Sequence, residues 1–330
     1  MPVTTDLTAE QHGSQRIFVT RYGNVDRKKI REELAERAAA GQITTRDERI
    51  LEYLRELHVL SVDQVRRLLW PNGRPKTTYN RLNTLKNYHL LSRARVPTRE
   101  MTAWGLAGEH VYSLGVGGWL WLSEEVNSDI VARSLRRDQV LHDLLVAELC
   151  VRFTEAVWQR GEPWQLTWVG EEAAAYYEST RSDEARFPVV APDGLAILKR
   201  RQGKNTASLP LFFEVDRTRE AHGRPSSDWG RKVNGYNRFY KEGWQDHPQL
   251  SNLPEFPVVA VVTHGAQRLL NLAQAIKNHR KEPVAYYLAL WSDLMAGADI
   301  LSTPAWLMMT PDGNVIGLER EQRAALLAAG

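Results

Sequence analysis

Apolar residues recur along this chain with two different periods, and the places where the period changes divide it into elements. Residues 1–24 show no sustained period and read as an arm. In residues 25–40, VDRKKIREELAERAAA, good helix formers carry opposite charges three and four positions apart and Gly41 supplies a stop, which predicts a solvated helix. Thr45 and Glu48 have the spacing of a capping box, ahead of Ile50, Leu51, Leu54 and Leu57 on one helical stripe. Ser61 and Gln64 repeat that signal before Val62, Val65, Leu68 and Leu69, and Pro71, Asn72, Gly73 and Pro75 end the second helix. A third helix is predicted over 76–88, with Tyr79, Leu82 and Leu85 inward and Thr77, Asn80, Arg81 and Thr84 outward. Residues 90–96 and 110–114 can each be extended, and the polar, Gly-containing stretch between them suits the tip of a hairpin. Three short helices followed by such a hairpin predict a winged helix-turn-helix over 45–115.

Residues 116–133 read as a linker, and a second unit is expected over 134–330. It opens with a long helix buried on a wide face, marked by Val140, Leu141, Leu144, Leu145, Leu149 and Val151. Strands are predicted at 165–169, 193–198 and 209–216, then a helix over 226–240 and a nearly continuous apolar strand, FPVVAVVTH, over 256–264. The order is α-β-β-β-α-β. A helix over 269–279, a strand over 284–291 and a hairpin of 305–309 with 315–318 around Pro311-Asp312-Gly313-Asn314 form a C-terminal β/α extension. A short Ala/Leu-rich helix follows from Arg320. The expected fold class is mixed α/β.

Composition narrows the class. The 330 residues are 43% hydrophobic and 25% charged, an ordinary globular balance. A single cysteine, Cys150, excludes an intramolecular disulfide and a cysteine-based zinc cluster, and reads as a small buried hydrophobe. No apolar run approaches the roughly 20 residues needed to span a bilayer, and the N-terminus lacks a signal-peptide pattern, so the expectation is a cytoplasmic protein without a membrane partner. The net charge of +3 says little, but its distribution does. Between residues 61 and 99 lie Arg66, Arg67, Arg74, Lys76, Arg81, Lys86, Arg93, Arg95 and Arg99 against Asp63 alone, a local charge of +8 that leaves −5 on the rest. A third helix of this kind fits the major groove of double-stranded DNA, with Lys76, Thr77, Asn80, Arg81, Thr84 and Lys86 on the helix and Arg93 and Arg95 on the wing as candidate contacts.

The second unit places carboxylates where strands would bring them together. Pro192-Asp193-Gly194 opens one strand, and LFFEVDRT carries Glu214 and Asp216 two residues apart on the next, hence on one face. Carboxylates on adjacent strands suit Mg²⁺ or Mn²⁺, which take oxygen donors and keep water positions open. Such a metal can activate water and offset charge developing on a phosphodiester. The plainer alternatives are that Asp193 is a turn residue, as Asp312 is expected to be, and that Glu214 and Asp216 pair with Arg217, Arg219 or Lys232 in a structural network. His142 reads as an ordinary core or surface histidine, Tyr236 as packing, and the eleven Trp residues form no ordered stacking platform.

The order α-β-β-β-α-β with PD on one strand and an E-x-K-like triplet on the next resembles the PD-(D/E)xK nuclease superfamily. The lysine position of the triplet holds Asp216. Some members of that superfamily carry the lysine on the following helix, which here points to Lys232. The resemblance implies Asp193 and Glu214 as metal ligands and Lys232 as the group that stabilises the attacked phosphate or the nucleophilic water. Asp216 is then a further ligand or the mark of a site that has lost catalysis. The chain as a whole resembles more closely the replication-relaxation family of plasmids and conjugative elements, through RDERILEYLRELHVLSVDQVRRLL, TTYNRLNTLKNYHLLSR, HVYSLGVGG, LHDLLVAEL, PDG, FFEVDRTRE and RKVNGYNRFY. That resemblance implies a DNA-binding winged helix joined to a nuclease-like unit acting in plasmid replication or transfer. Three readings follow: a metal-dependent nicking enzyme, an inactive accessory factor that recruits a relaxase or replication protein, and a transcriptional repressor. A homodimer is compatible with each.

Overall fold

The computed structural model describes residues 16–18, 26–108, 110–123, 135–177, 188–203, 205–217, 227–297, 299–302, 305–310 and 315–317. Within the expected arm, β1 (Arg16–Phe18) is a strand, and the helix that follows is α1 (Arg27–Ala39). Then come α2 (Thr45–Leu57), β2 (Leu60–Ser61), α3 (Val62–Leu69), α4 (Pro75–Asn87), β3 (Leu91–Arg95), α5 (Thr98–Ala103) and β4 (His110–Leu114). The capping box of α2 sits one residue earlier than its spacing predicts. Thr44 is the cap, and its backbone N–H donates to Asp47 Oδ2 at 2.7 Å. The α3 box is as expected, with Gln64 N donating to Ser61 Oγ at 3.2 Å and Ser61 N to Gln64 Oε1 at 3.0 Å. On α4 the buried residues are Thr78, Leu82 and Leu85, while Tyr79 is only half-buried.

Strands β3 and β4 pair antiparallel with Arg93 opposite Tyr112, and β2 adds to the far edge of β4, giving the sheet order β2-β4-β3. The polar stretch expected to be an open hairpin tip contains α5 and is seated on the body of the protein. Met101 is buried, the Trp104 ring lies 4.9 Å from His264, and Trp291 Nε1 donates to Trp104 O at 3.0 Å.

The expected linker begins with a helix, α6 (Val116–Leu122), packed on α1; residues 124–133 lie outside the described set. Glycines make this turn possible. A Cβ on Gly118 would stand 2.3 Å from Leu90 O, and Gly117 N donates to His89 O at 2.8 Å, so the GVGG run lets backbone lie against backbone.

After β5 (Leu135–Arg136), which pairs with β1, the long helix α7 (Arg137–Arg160) leads to β6 (Trp164–Gly170), the short α8 (Glu171–Ala174), β7 (Gly194–Gln202) and β8 (Asn205–Asp216). The chain continues through α9 (Ser227–Glu242), β9 (Val258–Thr263), α10 (Ala266–His279), β10 (Tyr286–Leu290), α11 (Trp291–Ala296), β11 (Leu307–Met309) and β12 (Val315–Gly317). Apart from α8, this is the α-β-β-β-α-β order with a C-terminal extension. The Pro311–Asn314 turn, Arg219 and the helix expected from Arg320 lie outside the described residues.

These strands form one seven-stranded sheet, β12-β11-β10-β9-β8-β7-β6, parallel from β8 to β10 and antiparallel elsewhere. One face carries Ala196, Leu198, Phe213 and Val215 and packs under α7, with Phe153 edge-on to Phe213 at 5.2 Å. The other carries Leu195, Phe212, Val259 and Val261 under α9 and α10. The first face belongs to an apolar cluster that runs without a break through α7 into α2, α3, α4, β3 and β4. Arg67 and Gln64 of α3 fasten the two parts: Arg67 Nη1 donates to Glu148 Oε1 at 2.7 Å, and Gln64 Nε2 to Leu144 O at 2.9 Å.

Candidate functional site

Period-2 alternation in β8 puts Phe213 and Val215 toward α7 and leaves Glu214 facing α9. Register does the rest. Phe213 pairs with Gly194, which sets Asp193 beside Glu214, and Asp193 Oδ2 accepts the Val215 N–H at 2.6 Å. One turn apart on α9, Lys232 and Tyr236 both point at Glu214. Tyr236 O–H donates to Glu214 Oε1 at 2.7 Å, and the Lys232 ammonium pairs with Oε2. Glu214 is fully buried, whereas the Lys232 side chain is 42% exposed, so the cluster opens to solvent on the lysine side. His142 of α7 completes it from the other face, with Nε2 at 3.2 Å from Asp193 Oδ2 and Nδ1 at 3.5 Å from Asp143 Oδ1.

The charges alternate through this cluster. Burial pushes the Asp193 carboxyl up, but His142 and Lys232 outweigh it and hold the group at about 2. Burial pulls the His142 imidazole down, yet Asp193 and Asp143 carry it up to about 10. Glu214 differs: burial prevails over Lys232 and Tyr236 and raises it to about 7. Burial also works against the Lys232 ammonium, and Glu214 and Asp193 more than offset it.

Three of the four expected catalytic residues, Asp193, Glu214 and Lys232, therefore share one cluster. Asp216 does not belong to it. Arg268 Nε and Nη2 donate to its two oxygens at 2.8 and 2.7 Å, and Thr263 Oγ1 donates to Oδ2 at 2.9 Å. Burial raises the Asp216 carboxyl and Arg268 brings it below its ordinary value. Both oxygens are thus engaged in tying β8 to β9 and α10. A pairing partner of Asp216 is Arg268, which is not among the partners expected from sequence; Arg219 lies outside the described residues. His142, set aside on sequence as ordinary, is the residue that reasoning missed. The available signal was the polar pair His142-Asp143 interrupting an otherwise apolar stretch of α7.

The donor set can be compared with the needs of a hard cation. Among the described residues no three His, Cys, Asp or Glu side chains form a group able to hold a metal ion. Mg²⁺ and Mn²⁺ take carboxylate oxygens and leave other positions to water and substrate phosphate, and Asp193 and Glu214 are the neighbouring carboxylates that could contribute here, Glu214 in exchange for its pairing with Lys232.

The candidate DNA-binding residues divide by exposure. Lys76, Thr77 and Asn80 at the start of α4 are exposed, as are Arg93 and Arg95 on β3, while Thr84 and Lys86 are half-buried. Thr84 Oγ1 donates to Asn80 O at 3.1 Å, and Arg93 Nη1 to Asn83 Oδ1 at 2.9 Å. Arg81 has a different task. Its Nε donates to Asp47 Oδ1 at 2.8 Å, its Nη2 also pairs with Asp47, and it reaches Gln42 O at 2.8 Å, so it clamps α4 to the start of α2. Arg66 and Arg67 are likewise paired, with Asp63 and with Glu148 and Glu155. The cations left facing outward are Arg74, Lys76, Arg93, Arg95 and Arg99.

Compared with known families, residues 51–252, more than half of the chain, match the model described as replication-relaxation. The chain belongs to the replication-relaxation family. No similar protein is found among those with curated functions, and no similar solved structure. The matched segment of this replication-relaxation protein begins inside α2 and ends beyond α9, so it includes α4, the β3–β4 hairpin and every residue of the Asp193–Glu214–Lys232 cluster. Among the described residues no helix is long and apolar enough to cross a membrane.

Proposed function

We propose that this protein binds double-stranded DNA in plasmid or mobile-element replication or conjugative transfer, and nicks or cleaves it with Mg²⁺ or Mn²⁺. The observation that carries the reading is the convergence of Asp193, Glu214 and Lys232 at neighbouring ends of β7 and β8, with the lysine open to solvent. This arrangement resembles the PD-(D/E)xK nucleases, with the lysine supplied by α9. Lys76, Thr77, Asn80, Arg93 and Arg95 face outward as a winged helix requires for groove and phosphate contacts. Arg81 is left out of that set.

Asp193 and Glu214 would hold the metal, which when bound supplies polarisation of the scissile phosphate and an activated water. Lys232, half in solvent, offers its ammonium to the charge that develops on the phosphate. His142 orients Asp193, and Tyr236 fixes one oxygen of Glu214. The internal pairing of both carboxylates with cations favours a second reading: a non-catalytic factor that binds DNA and recruits a relaxase or replication protein.

A nicking assay on supercoiled plasmid with Mg²⁺ or Mn²⁺ separates the two, comparing the native chain with Asp193→Asn and Glu214→Gln. The catalytic reading expects nicking by the native chain that each substitution abolishes while the circular dichroism spectrum is retained. Equal nicking by all three proteins, or none by the native one, sinks it. DNA binding without nicking leaves the accessory reading.

A further inference from the structure

The segment between Asp193 and Glu214 contains no acidic residue and holds Lys199, Arg200, Arg201 and Lys204, of which Lys204 lies outside the described residues. This segment is the β7–β8 hairpin, and it projects. Strand β6 accompanies β7 only as far as the Trp164–Arg200 pair, and β9 accompanies β8 only from Leu211 onward. Beyond those points only the Arg201–Thr206 and Gln202–Asn205 pairs continue as a two-stranded tip, with Arg201, Asn205 and Thr206 exposed, while Lys199, opposite Gln165 of β6, is exposed just before the tip.

Its cations differ from those that tie the body together. Arg66, Arg67, Arg81, Arg160, Arg268 and Lys232 are each paired with a carboxylate. Lys199, Arg200 and Arg201 form no ion pair among the described residues. Arg200 lies over the Trp164 ring at 5.4 Å, shared with Arg160 at 5.7 Å, and its buried Nε has no hydrogen-bond partner there. Alternation places Lys199 and Arg201 on the face of Leu195 and Ile197, which is the face of Glu214.

We propose that this ribbon is a second DNA-binding surface, which grips the phosphate backbone of the same duplex. It rests on the reading that the protein binds DNA. A two-stranded ribbon is one of the shapes that duplex grooves admit, and unpaired Lys and Arg are what phosphates require. Its placement suits the task on two sides. Arg67 holds the end of α3, and hence the entry to α4, to Glu155, while five residues further along α7 Arg160 packs on Trp164 beside the ribbon. The start of α4 and the ribbon therefore lie toward the same end of α7, where Trp158 stands 44% exposed. In the other direction, Lys199 and Arg201 are five and seven residues from Gly194, or about 16 and about 23 Å of strand. At 3.4 Å per base pair they would meet phosphates about five to seven base pairs from the Asp193–Glu214 cluster.

The competing explanation is that the charges only discourage the open edge of β8 from pairing with another chain. Fluorescence anisotropy of the full chain with a labelled duplex of about 30 base pairs, over about 50 to 200 mM salt, decides. Lys199→Ala with Arg201→Ala removes two phosphate contacts and should lower the slope of log K against log salt by about 1.8. The native chain should then lose about 12-fold more affinity than the variant across that fourfold salt range, with unchanged melting temperature. An unchanged slope overturns the proposal, and self-association of the variant on gel filtration with that slope assigns the charges to edge protection. If the native chain binds no duplex, the DNA reading and the ribbon fall together. If Lys76→Ala with Asn80→Ala weakens binding while the ribbon variant does not, only the ribbon falls.

Discussion

Arg81→Ala tests whether a basic residue on α4 serves the fold or the ligand. The Asp47 side chain is 1% exposed and that of Arg81 26%. Among the described residues the carboxylate accepts, besides the guanidinium, from Thr44, whose N–H and Oγ1 both reach Oδ2 at 2.7 Å. Removing one member of a fully buried ion pair costs about 3–5 kcal/mol, because the other charge is left uncompensated. Here Thr44 retains part of the solvation and the guanidinium is partly in water, which lowers the expected cost to about 2.5 kcal/mol. At an unfolding entropy of about 2.1 cal/mol/K per residue, 330 residues give about 0.7 kcal/mol/K, so the melting temperature should drop by about 3–4 °C.

Scanning calorimetry measures this, and Asp47→Asn with its double variant completes a cycle whose coupling term should exceed about 1 kcal/mol. The effect carries a pH signature. Burial raises the Asp47 carboxyl, but Arg81 and the Thr44 donors outweigh it and hold the folded group below its ordinary 3.8. The pair's contribution is complete above that value and is lost as pH falls through the lower folded one, so the gap between native and variant closes in acid and stays constant near neutrality. A variant that melts with the native chain, yet shows a weaker salt dependence of DNA binding, would falsify the structural assignment of Arg81.

Two further outcomes follow from burial. Gly118→Ala would put a Cβ 2.3 Å from Leu90 O and 3.0 Å from Leu114 Cδ2; since the nearer atom is backbone, the loss should reach about 1–3 kcal/mol in urea unfolding, and an unchanged midpoint would refute the close approach. Cys150 is fully buried, and burial pushes its thiol well up despite the Thr154 hydroxyl, so a thiol reagent should leave the native chain unlabelled and modify one group in guanidinium. Rapid labelling of the native chain would contradict its place in the core.

What could be read from the sequence depended on whether a residue's role was set nearby or across the fold. The Ser61–Gln64 cap and the apolar run of β9 are local, and they appear where the pattern put them, while Pro75, read as a break, opens α4 at its first position. Glu214 and Lys232 are distant in sequence, and their approach was anticipated through the resemblance to nucleases that carry the lysine on the following helix. Asp216 shows where that reasoning stops. It shares the face of Glu214, but which carboxylate meets a cation depends on Arg268, carried by a helix beyond the motif. Arg81 and Thr77 were equivalent on a helical wheel. Only the seating of α2 against α4, fixed by Asp47, separates a clamp from an outward-facing group. For His142 the polar pair His142-Asp143 within an apolar stretch marked the position, but its partner Asp193 is set only by how α7 lies on the sheet.

The helix α7 gives these placements a shared consequence. Its residues Glu148 and Glu155 hold α3, His142 holds Asp193, and its apolar side fills the space above Phe213, all within one continuous core. A helix rises 1.5 Å per residue and resists bending, so the exposed start of α4 and the Asp193–Glu214 cluster are kept at a fixed separation. Moving one against the other would require breaking the Arg67 pairs and opening the apolar layer beneath them, which is costly next to the flexing of a linker. In the proposed reading, a duplex recognised by α4 would therefore meet the cluster at a set number of base pairs from the recognised sequence, a property that two domains on a flexible tether would not possess. The same rigidity places the demand for adjustment on the DNA. Any bend needed to bring the phosphate to Lys232 falls within the few base pairs between the two contacts, where the ribbon's unpaired cations would stabilise it.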